Sequence, residues 1–272
     1  MNFDIVKLLL GIFLTLHLNT GLAQQVFNIT HEARYELKYR PDKQSDTYKI
    51  NTFILFMNQQ ESFFKNMAVY VKDSLERQGT LKKTGDIYKD LANYDKYMPE
   101  FPYAIYTNRN KVVFSDRIAM TGNYRYEEEV RFDWKLTSET GIIKGIKCVK
   151  ATTSKWGRNW IAYYSPTHPH PFGPYKFHGL PGLIFKVEDE DRNFVFELYK
   201  YIKRNEKGFN LNNPDKVDWV SKEKYVKMKR NSEITLPNGI DFPDMDVKRK
   251  AEILNRIRKE YENKVHLEIS EE

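Results

Sequence analysis

The chain has 272 residues, enough for one large β domain or two small ones with a substantial core. Its one cysteine, Cys148, excludes an internal disulfide framework. The formal net charge is +7, but acids are interspersed with the lysines along most of the chain. This pattern favours a solvated surface over a nucleic-acid footprint, and no nucleic-acid partner is expected.

The first 23 residues predict an export signal. Lys7 precedes the apolar run 8–14, and Gly21-Leu22-Ala23 fits a small-x-small cleavage site. The run is too short to span a bilayer, and no later segment is long enough, so no transmembrane segment is expected in the mature chain. Cleavage near Ala23 predicts a single domain over 24–272, in the periplasm or outside the cell.

The next segments alternate between strands and a helix. Two strands are predicted over 33–39 and 48–57, joined by the polar turn 41–45, and a helix over 66–78 ends at Gly79. The following stretch, 80–100, is polar and irregular, and is interpreted as a mobile loop or an insertion.

From residue 102 onward the pattern is a meander of short strands. These strands are predicted over 103–107, 112–118, 124–129, 131–136, 141–149, 159–164, 183–188 and 194–201. Aromatic residues make up 14% of the chain, which favours sheets with large cross-strand pairs. We therefore predict a mainly β protein with an antiparallel sheet, and Cys148, in an alternating run, as a buried structural thiol.

The C-terminal part, from about residue 221, predicts covering helices. Ser221 can cap a helix reaching Arg230, and Asp244 and Asp246 suit the first turn of a second helix reaching about Glu262. Its apolar stripe favours docking on the sheet over a membrane surface.

A sharp corner is predicted at Gly179-Leu180-Pro181-Gly182-Leu183-Ile184. Proline followed by glycine favours a type II turn, and the alternation after Gly182 predicts a half-buried strand.

This corner and the residues before it resemble the GLPGLI family of exported bacterial proteins, common among Bacteroidetes. The other matching residues are Trp134-Lys135-Leu136, Glu139-Thr140, Gly145-Ile146-Lys147-Cys148 with Lys150-Ala151, Gly157-Arg158, Ala162-Tyr163-Tyr164 and Gly173-Pro174 with Lys176-Phe177. Upstream, Asp73-Ser74-Leu75 also resembles a family feature. The resemblance implies no established activity and no site residue. By looser analogy, a curved antiparallel sheet with covering helices is similar to the half-barrel of periplasmic lipoprotein carriers.

Several residues near the corner are candidates for ligand binding. Arg158 and Lys176 could hold an acidic group, or could instead pair with Glu188 or Glu197 across strands. The aromatic residues could line a ligand groove or belong to the core; they are Trp160, Tyr164, Tyr175 and Phe177.

Three histidines are candidate metal ligands: His168, His170 and His178, with acids following at 188–191. The stiff sequence around His168 and His170 favours a surface loop instead. Neither a metal nor another cofactor is expected, and no catalytic residue is assigned.

These observations leave three functional hypotheses. The first is a non-catalytic envelope binding or carrier protein for an apolar ligand or a peptide. The second is a structural partner of an outer-membrane assembly, bound through a sheet edge or the basic C-terminal helix. The third is a metal-dependent envelope hydrolase that uses the three histidines.

Overall fold

The structure, a computed structural model, describes residues 26–44, 46–118, 121–210, 217–234, 246–264 and 266–268. Its strands are β1 (Val26–Tyr39), β2 (Lys49–Met57), β3 (Glu61–Asn66), β4 (Ala104–Asn108), β5 (Lys111–Ile118), β6 (Gly122–Glu129), β7 (Lys135–Ile143), β8 (Ile146–Lys155), β9 (Arg158–Ser165), β10 (Leu183–Asp189), β11 (Phe194–Asn210) and β12 (Val217–Trp219). Its α-helices are α1 (Met67–Arg77), α2 (Ile87–Tyr94), α3 (Lys222–Ile234) and α4 (Val247–Asn263). The predicted signal peptide and Asp244 lie outside the described residues.

Within the described residues, the strands form one sheet in the order β12-β6-β5-β4-β3-β2-β1-β11-β10-β9-β8-β7. All neighbours are antiparallel except β12 and β6. The order contains two meanders of consecutive strands, β1–β6 and β7–β11, which meet where β1 pairs with β11. The prediction of a mainly β protein with an antiparallel sheet and covering helices is confirmed.

The sheet must be strongly curved, because β6 and β7 lie near its opposite ends. Only residues 130–134 connect these two strands, and such a link spans at most about 20 Å. Ten strand spacings in a flat sheet would put the two strands about 48 Å apart. The sheet is therefore bent into an open half-barrel whose ends face each other.

The main core lies on the inner face of this half-barrel, where buried side chains from both meanders pack together. Helix α3 covers the inner face near β5 and β6, since the Tyr225 ring contacts the rings of Phe114 and Tyr126. A smaller cluster lies on the other face under α1 and includes Ile54 and Phe56. The sheet is thus covered in part on both faces.

Helix α1 begins and ends where the sequence predicts it. The side chain of Asn66 accepts a hydrogen bond from the backbone N–H of Ala68, and Gly79 follows the helix with φ of +69°. Such a side-chain acceptor satisfies one free donor of the first turn. Among the described helices, none is both long and apolar enough to cross a bilayer.

The corner before β10 is tighter than predicted. The backbone N–H of Gly182 donates to the carbonyl of Leu180 at 2.8 Å, which closes a three-residue turn around Pro181 rather than a type II turn. A Cβ atom on Gly182 would lie 2.2 Å from the carbonyl oxygen of Ser165. The glycine is therefore required because the backbone of the corner touches the end of β9.

Three predicted elements are wrong. The stretch 80–100, predicted to be irregular, contains α2 and a short 3₁₀ helix, Asp95–Tyr97. The strand predicted over 141–149 is a hairpin, because Lys144 and Gly145 both have positive φ and reverse the chain between β7 and β8. The strand predicted over 131–136 is the link between the two ends of the sheet, with β7 beginning only at Lys135.

Candidate functional site

The segment between β9 and β10, residues 166–182, folds into the half-barrel and fills its interior. Phe172 and His178 form an antiparallel bridge, and the N–H of Phe177 donates to the carbonyl of Pro174 at 3.1 Å. These bonds make a narrow loop, which we call the inner loop. Its tip carries Tyr175 and Lys176.

The tip has an unusual backbone. Tyr175 has φ of +55°, a left-handed conformation that costs free energy for a residue with a side chain. Such strain persists where the surrounding contacts hold it and is frequent at functional sites. The result is that the neighbouring Lys176 side chain points into the interior, where it is 0% exposed.

Aromatic rings surround the ammonium group of Lys176. The Nζ atom lies 5.1 Å from the centroid of the Phe114 ring, 5.4 Å from Tyr126 and 5.7 Å from Trp156. The ring of Tyr175 lies at 5.2 Å. Cation–π attraction at these distances partly replaces the water that a buried ammonium loses.

Two carboxylates complete the surroundings of Lys176. Its Nζ donates to Oε1 of Glu268 at 2.6 Å and also to Glu128. The Nζ of Lys222 donates to the other oxygen of Glu128 at 2.7 Å and lies 3.1 Å from Glu268. These four side chains, which we call the charged cluster, alternate in sign, so each charge is compensated.

The charged cluster combines residues from distant parts of the chain. Glu128 comes from β6, Lys176 from the inner loop, Lys222 from α3 and Glu268 from the C-terminal segment. The hydroxyl of Tyr175 also donates to Glu268, at 2.6 Å. The Glu268 carboxylate is thus contacted by donor groups of three side chains: Lys176, Tyr175 and Lys222.

The electrostatics of the site favour the charged form of Glu268. Burial acts to raise the pKa of this carboxyl, but Lys176, Lys222 and the hydrogen bonds from Lys176 and Tyr175 outweigh it, so the pKa lies below its usual value. The pKa of Lys222 is raised by Glu268 and Glu128 against the opposing effects of burial and Lys176. The pKa of Tyr175 is raised well above 10 by burial and by the Glu268 charge.

A cleft of about 620 Å³ opens next to the charged cluster, between the two ends of the sheet. One wall is the end of β6 and the residues after it, and the other is the turn between β8 and β9. Its lining includes Glu128, Val130, Trp156, Arg158, Lys222 and Glu268. Because charged groups dominate this lining, the cleft suits a polar ligand better than an acyl chain.

Arg158 lies in the cleft wall, where Asp189 and Phe194 fix the position of its guanidinium group. Its Nη1 bonds to Oδ2 of Asp189 at 2.9 Å, and its guanidinium lies 5.2 Å from the Phe194 ring centroid. Its Nη2 donates to the backbone carbonyl of His266 at 2.6 Å. The described C-terminal residues 266–268, which we call the tail segment, therefore lie across the cleft.

Among the predicted ligand-binding residues, Arg158 lines the cleft, Lys176 belongs to the buried charged cluster beside it, and Tyr175 donates a hydrogen bond to that cluster. The remaining candidates, Trp160, Tyr164 and Phe177, are buried in the main core. Neither basic residue pairs with the acids proposed as cross-strand partners. Glu188 pairs instead with Lys186 and Arg192, and Glu197 with Lys144.

Three residues of the charged cluster were not predicted from the sequence: Glu128, Lys222 and Glu268. Glu128 lies in a run of three glutamates, and Lys222 is one of many lysines in α3. Only the contact between segments that are distant in sequence distinguishes them, and residue pattern alone does not reveal such a contact.

The three candidate metal ligands divide between two places. His178 packs on the Phe132 ring, and its Nδ1 bonds to the carbonyl of Lys176 at 2.8 Å. His170 instead lies against His31, with ring centroids 4.3 Å apart, and near His168. Within the described residues, no group of three or more His, Cys, Asp or Glu side chains is arranged to hold a metal ion.

Cys148 is buried in the core, as predicted. Burial raises the pKa of its thiol to about 11. The thiolate, which is the reactive form, is therefore scarce at neutral pH.

Comparisons with known proteins show similarity of fold alone. No protein-family model and no curated protein sequence matches the chain. Two solved structures of PNGF-II align with TM-scores of 0.54 and 0.52, at 17% and 18% identity, over 75% of this chain. The chain spans about a third of their length, 34% and 33% respectively.

A third alignment involves a LolA superfamily protein from Nitrosomonas europaea. It has a TM-score of 0.28 and 6% identity, and covers 65% of this chain and 87% of the other. A TM-score this low supports no argument, so the similarity to the half-barrel of lipoprotein carriers stays a prediction.

Proposed function

We propose that the protein is an exported, non-catalytic binding protein whose cleft takes a ligand presenting a carboxylate. In this proposal residues 1–23 direct export, and the residues that resemble the GLPGLI family, 134–188, supply the inner loop and the turn at Gly157-Arg158. The ligand class is a polar anion or an acidic peptide rather than a lipid.

One observation carries the proposal. The Glu268 carboxylate, which belongs to the C-terminal segment and not to the sheet, accepts hydrogen bonds from Lys176 and Tyr175 and lies 3.1 Å from Lys222. Three donors converging on one carboxylate make a site for that chemical group, because charge-assisted hydrogen bonds are directional and strong.

The filled interior argues against an acyl ligand. The space that a lipid carrier keeps for a chain is occupied here by the inner loop, whose Phe177 ring packs on the rings of Trp160 and Trp156. Admitting an acyl chain would require these rings to leave the core, which would remove about 2 kcal/mol or more of burial for each ring.

The test uses the full chain carrying Glu268→Gln, which removes the charge and retains the shape of the side chain. We expect N-acetylglutamate to bind this variant with a Kd near 1 mM by NMR titration, the range that ligand efficiency allows for a molecule of this size. N-acetylglutaminamide, which carries an amide in place of each carboxylate, should bind at least tenfold more weakly.

A second substitution locates the binding. Adding Lys222→Gln to Glu268→Gln should abolish the N-acetylglutamate signal, whereas adding Lys227→Gln, an exposed lysine of the same helix, should leave it unchanged. Equal binding of the acid and the amide, or no binding of either to a folded Glu268→Gln variant, would refute the proposal.

A second candidate function is a structural partner of an envelope assembly, favoured by the exposed edge of β7. Among the described strands, β7 is the last of the sheet and pairs only with β8, and it exposes Leu136 and Ile142. A free edge of this length can accept a strand from another protein. Photo-crosslinking from position 142 in cells should yield one stoichiometric adduct, and its absence would exclude this function.

A further inference from the structure

We infer that the cleft recognises a short acidic peptide in the register of the protein's own tail segment, and that the tail segment is an intramolecular competitor for this site. The inference rests on the proposed function and adds to it a peptide register and a regulatory contact.

The tail segment contacts the cleft through three consecutive residues. The carbonyl of His266 accepts from Arg158, Leu267 packs at the edge of the main core, and Glu268 enters the charged cluster. The segment bends at Leu267 and Glu268. A backbone anchor and a carboxylate anchor two residues apart, with an apolar side chain between them, define a register that a short peptide can copy.

The groups that receive the tail segment are also held by contacts that do not involve it. Asp189 fixes Arg158, and Asp189 itself accepts the backbone N–H of Phe194 at 2.6 Å. Glu128 bonds to both Lys176 and Lys222. A site whose donors are already ordered loses little entropy when it binds, so it can exchange one peptide for another.

The tail segment is tethered close to the site, which makes it an effective competitor. The ring of His266 lies 4.9 Å from the Tyr261 ring of α4, and Lys264 bonds to Glu233 of α3 at 3.3 Å. A short tether keeps the local concentration of its ligand group in the millimolar range. An external peptide therefore has to displace the tail segment before it can bind.

The charge of the competing ligand should match that of the displaced one. When an incoming peptide displaces the side chain at position 268, Lys176 and Lys222 share only the carboxylate of Glu128 among the acids bonded to them in the described part of the chain. The vacated position thus faces two ammonium groups, which favours an incoming acid over a neutral side chain.

Two capped peptides test the register. Acetyl-KVHLE-amide copies residues 264–268, and acetyl-KVHEL-amide has the same composition with its last two residues exchanged. By calorimetry, we expect the full chain with Glu268→Gln to bind the first peptide at least tenfold more tightly than the second. We also expect it to bind the first peptide at least tenfold more tightly than the unmodified chain does.

The matched control is Glu262→Gln, which removes the same charge from the exposed side of the same C-terminal region and should bind like the unmodified chain. If the Glu268→Gln variant binds the two peptides with equal affinity, the proposed peptide register is wrong. If the unmodified chain and the Glu268→Gln variant bind the first peptide with equal affinity, the tail segment does not compete for the site.

The outcomes separate this inference from the proposed function. If N-acetylglutamate binds the Glu268→Gln variant and neither peptide does, the inference fails and the carboxylate site remains. If none of the three probes binds a folded variant, both fail.

Discussion

The carboxylate of Glu268 accepts a hydrogen bond from Lys176 at 2.6 Å, although 92 positions separate the two residues in the chain. This bond joins the C-terminal segment to a lysine that the rest of the protein encloses completely. It makes the charged cluster a contributor to stability as well as a candidate binding site.

Lys176→Met should strongly destabilise the protein. The substitution leaves Glu128 and Glu268 with Lys222 as their remaining partner in the cluster, and breaking a buried ion pair costs about 3–5 kcal/mol. Urea unfolding should show a lower midpoint with a similar slope. Lys227→Met, at an exposed position of α3, should change the free energy of unfolding by less than about 0.5 kcal/mol. Equal stability of the two variants would contradict this account.

Gly182→Ala tests the close contact at the corner before β10. The new methyl group would overlap the carbonyl of Ser165, so we expect a loss of about 3 kcal/mol or more. The control is Gly145→Ala. Gly145 also has positive φ, but a Cβ atom added there would meet nothing within 4 Å, so this variant should lose about 1 kcal/mol. If the thermal midpoints of both variants fall equally, the positive φ alone accounts for the requirement for glycine at position 182, and the contact with Ser165 adds nothing.

Acid should destabilise the protein through His170. This residue is buried, and neither ring nitrogen has a hydrogen-bond partner among the described residues. Burial, with smaller contributions from His31 and His168, lowers its pKa from 6.5 to about 4. Between these values the unfolded chain binds more protons, so stability is present above pH 6.5 and is lost as the pH falls toward 4.

The His170 contribution should reach up to about 3 kcal/mol at pH 4. It can be isolated by measuring urea unfolding between pH 7.5 and pH 4 for the unmodified chain and for His170→Phe. The variant should show a flatter pH profile, and His31, His168, His178 and His266 should contribute to the slope that remains, since burial also lowers the pKa of each. If the free energy of unfolding depends on pH in the same way for the unmodified chain and for His170→Phe, then His170 does not take up a proton when the chain unfolds.

Cys148 should react with alkylating reagents only after unfolding. Its side chain is buried, and its thiol has a pKa of about 11. At pH 7.5 we expect iodoacetamide to label the native protein at least about 100-fold more slowly than the protein in urea. Mass spectrometry of the labelled chain measures both rates, and comparable rates would show that β8 opens readily in the native state.

The sequence predicts elements well where the apolar pattern matches the buried face. Helix α1 and strand β10 are examples, with boundaries within one residue of those predicted. Strand β3 was not predicted because its buried face carries Ser62 and Asn66, so polar residues occupy inward positions. Helix α2 was not predicted because its large apolar side chains, Ile87 and Leu91, are exposed.

The candidate site was only half predictable for a different reason. Tyr175, Lys176 and Arg158 lie in sequence motifs that single them out. In the structure Arg158 lines the cleft, and Lys176 and Tyr175 contact Glu268 in the adjoining charged cluster. Glu128 and Glu268 become recognisable only when curvature brings β6 and the tail segment to the same lysine. Long-range contacts of single charged residues leave no periodic signal.

The arrangement of the sheet as two meanders has a consequence for how the protein folds. Each meander pairs strands that follow one another in sequence, so each can form early from local contacts. The seam where β1 meets β11 cannot form until almost the whole sheet has been synthesised, and the bond from Tyr35 to the carbonyl of Ile184 spans 149 positions. Because closing such long loops is slow, docking of the two halves is expected to limit the rate of folding.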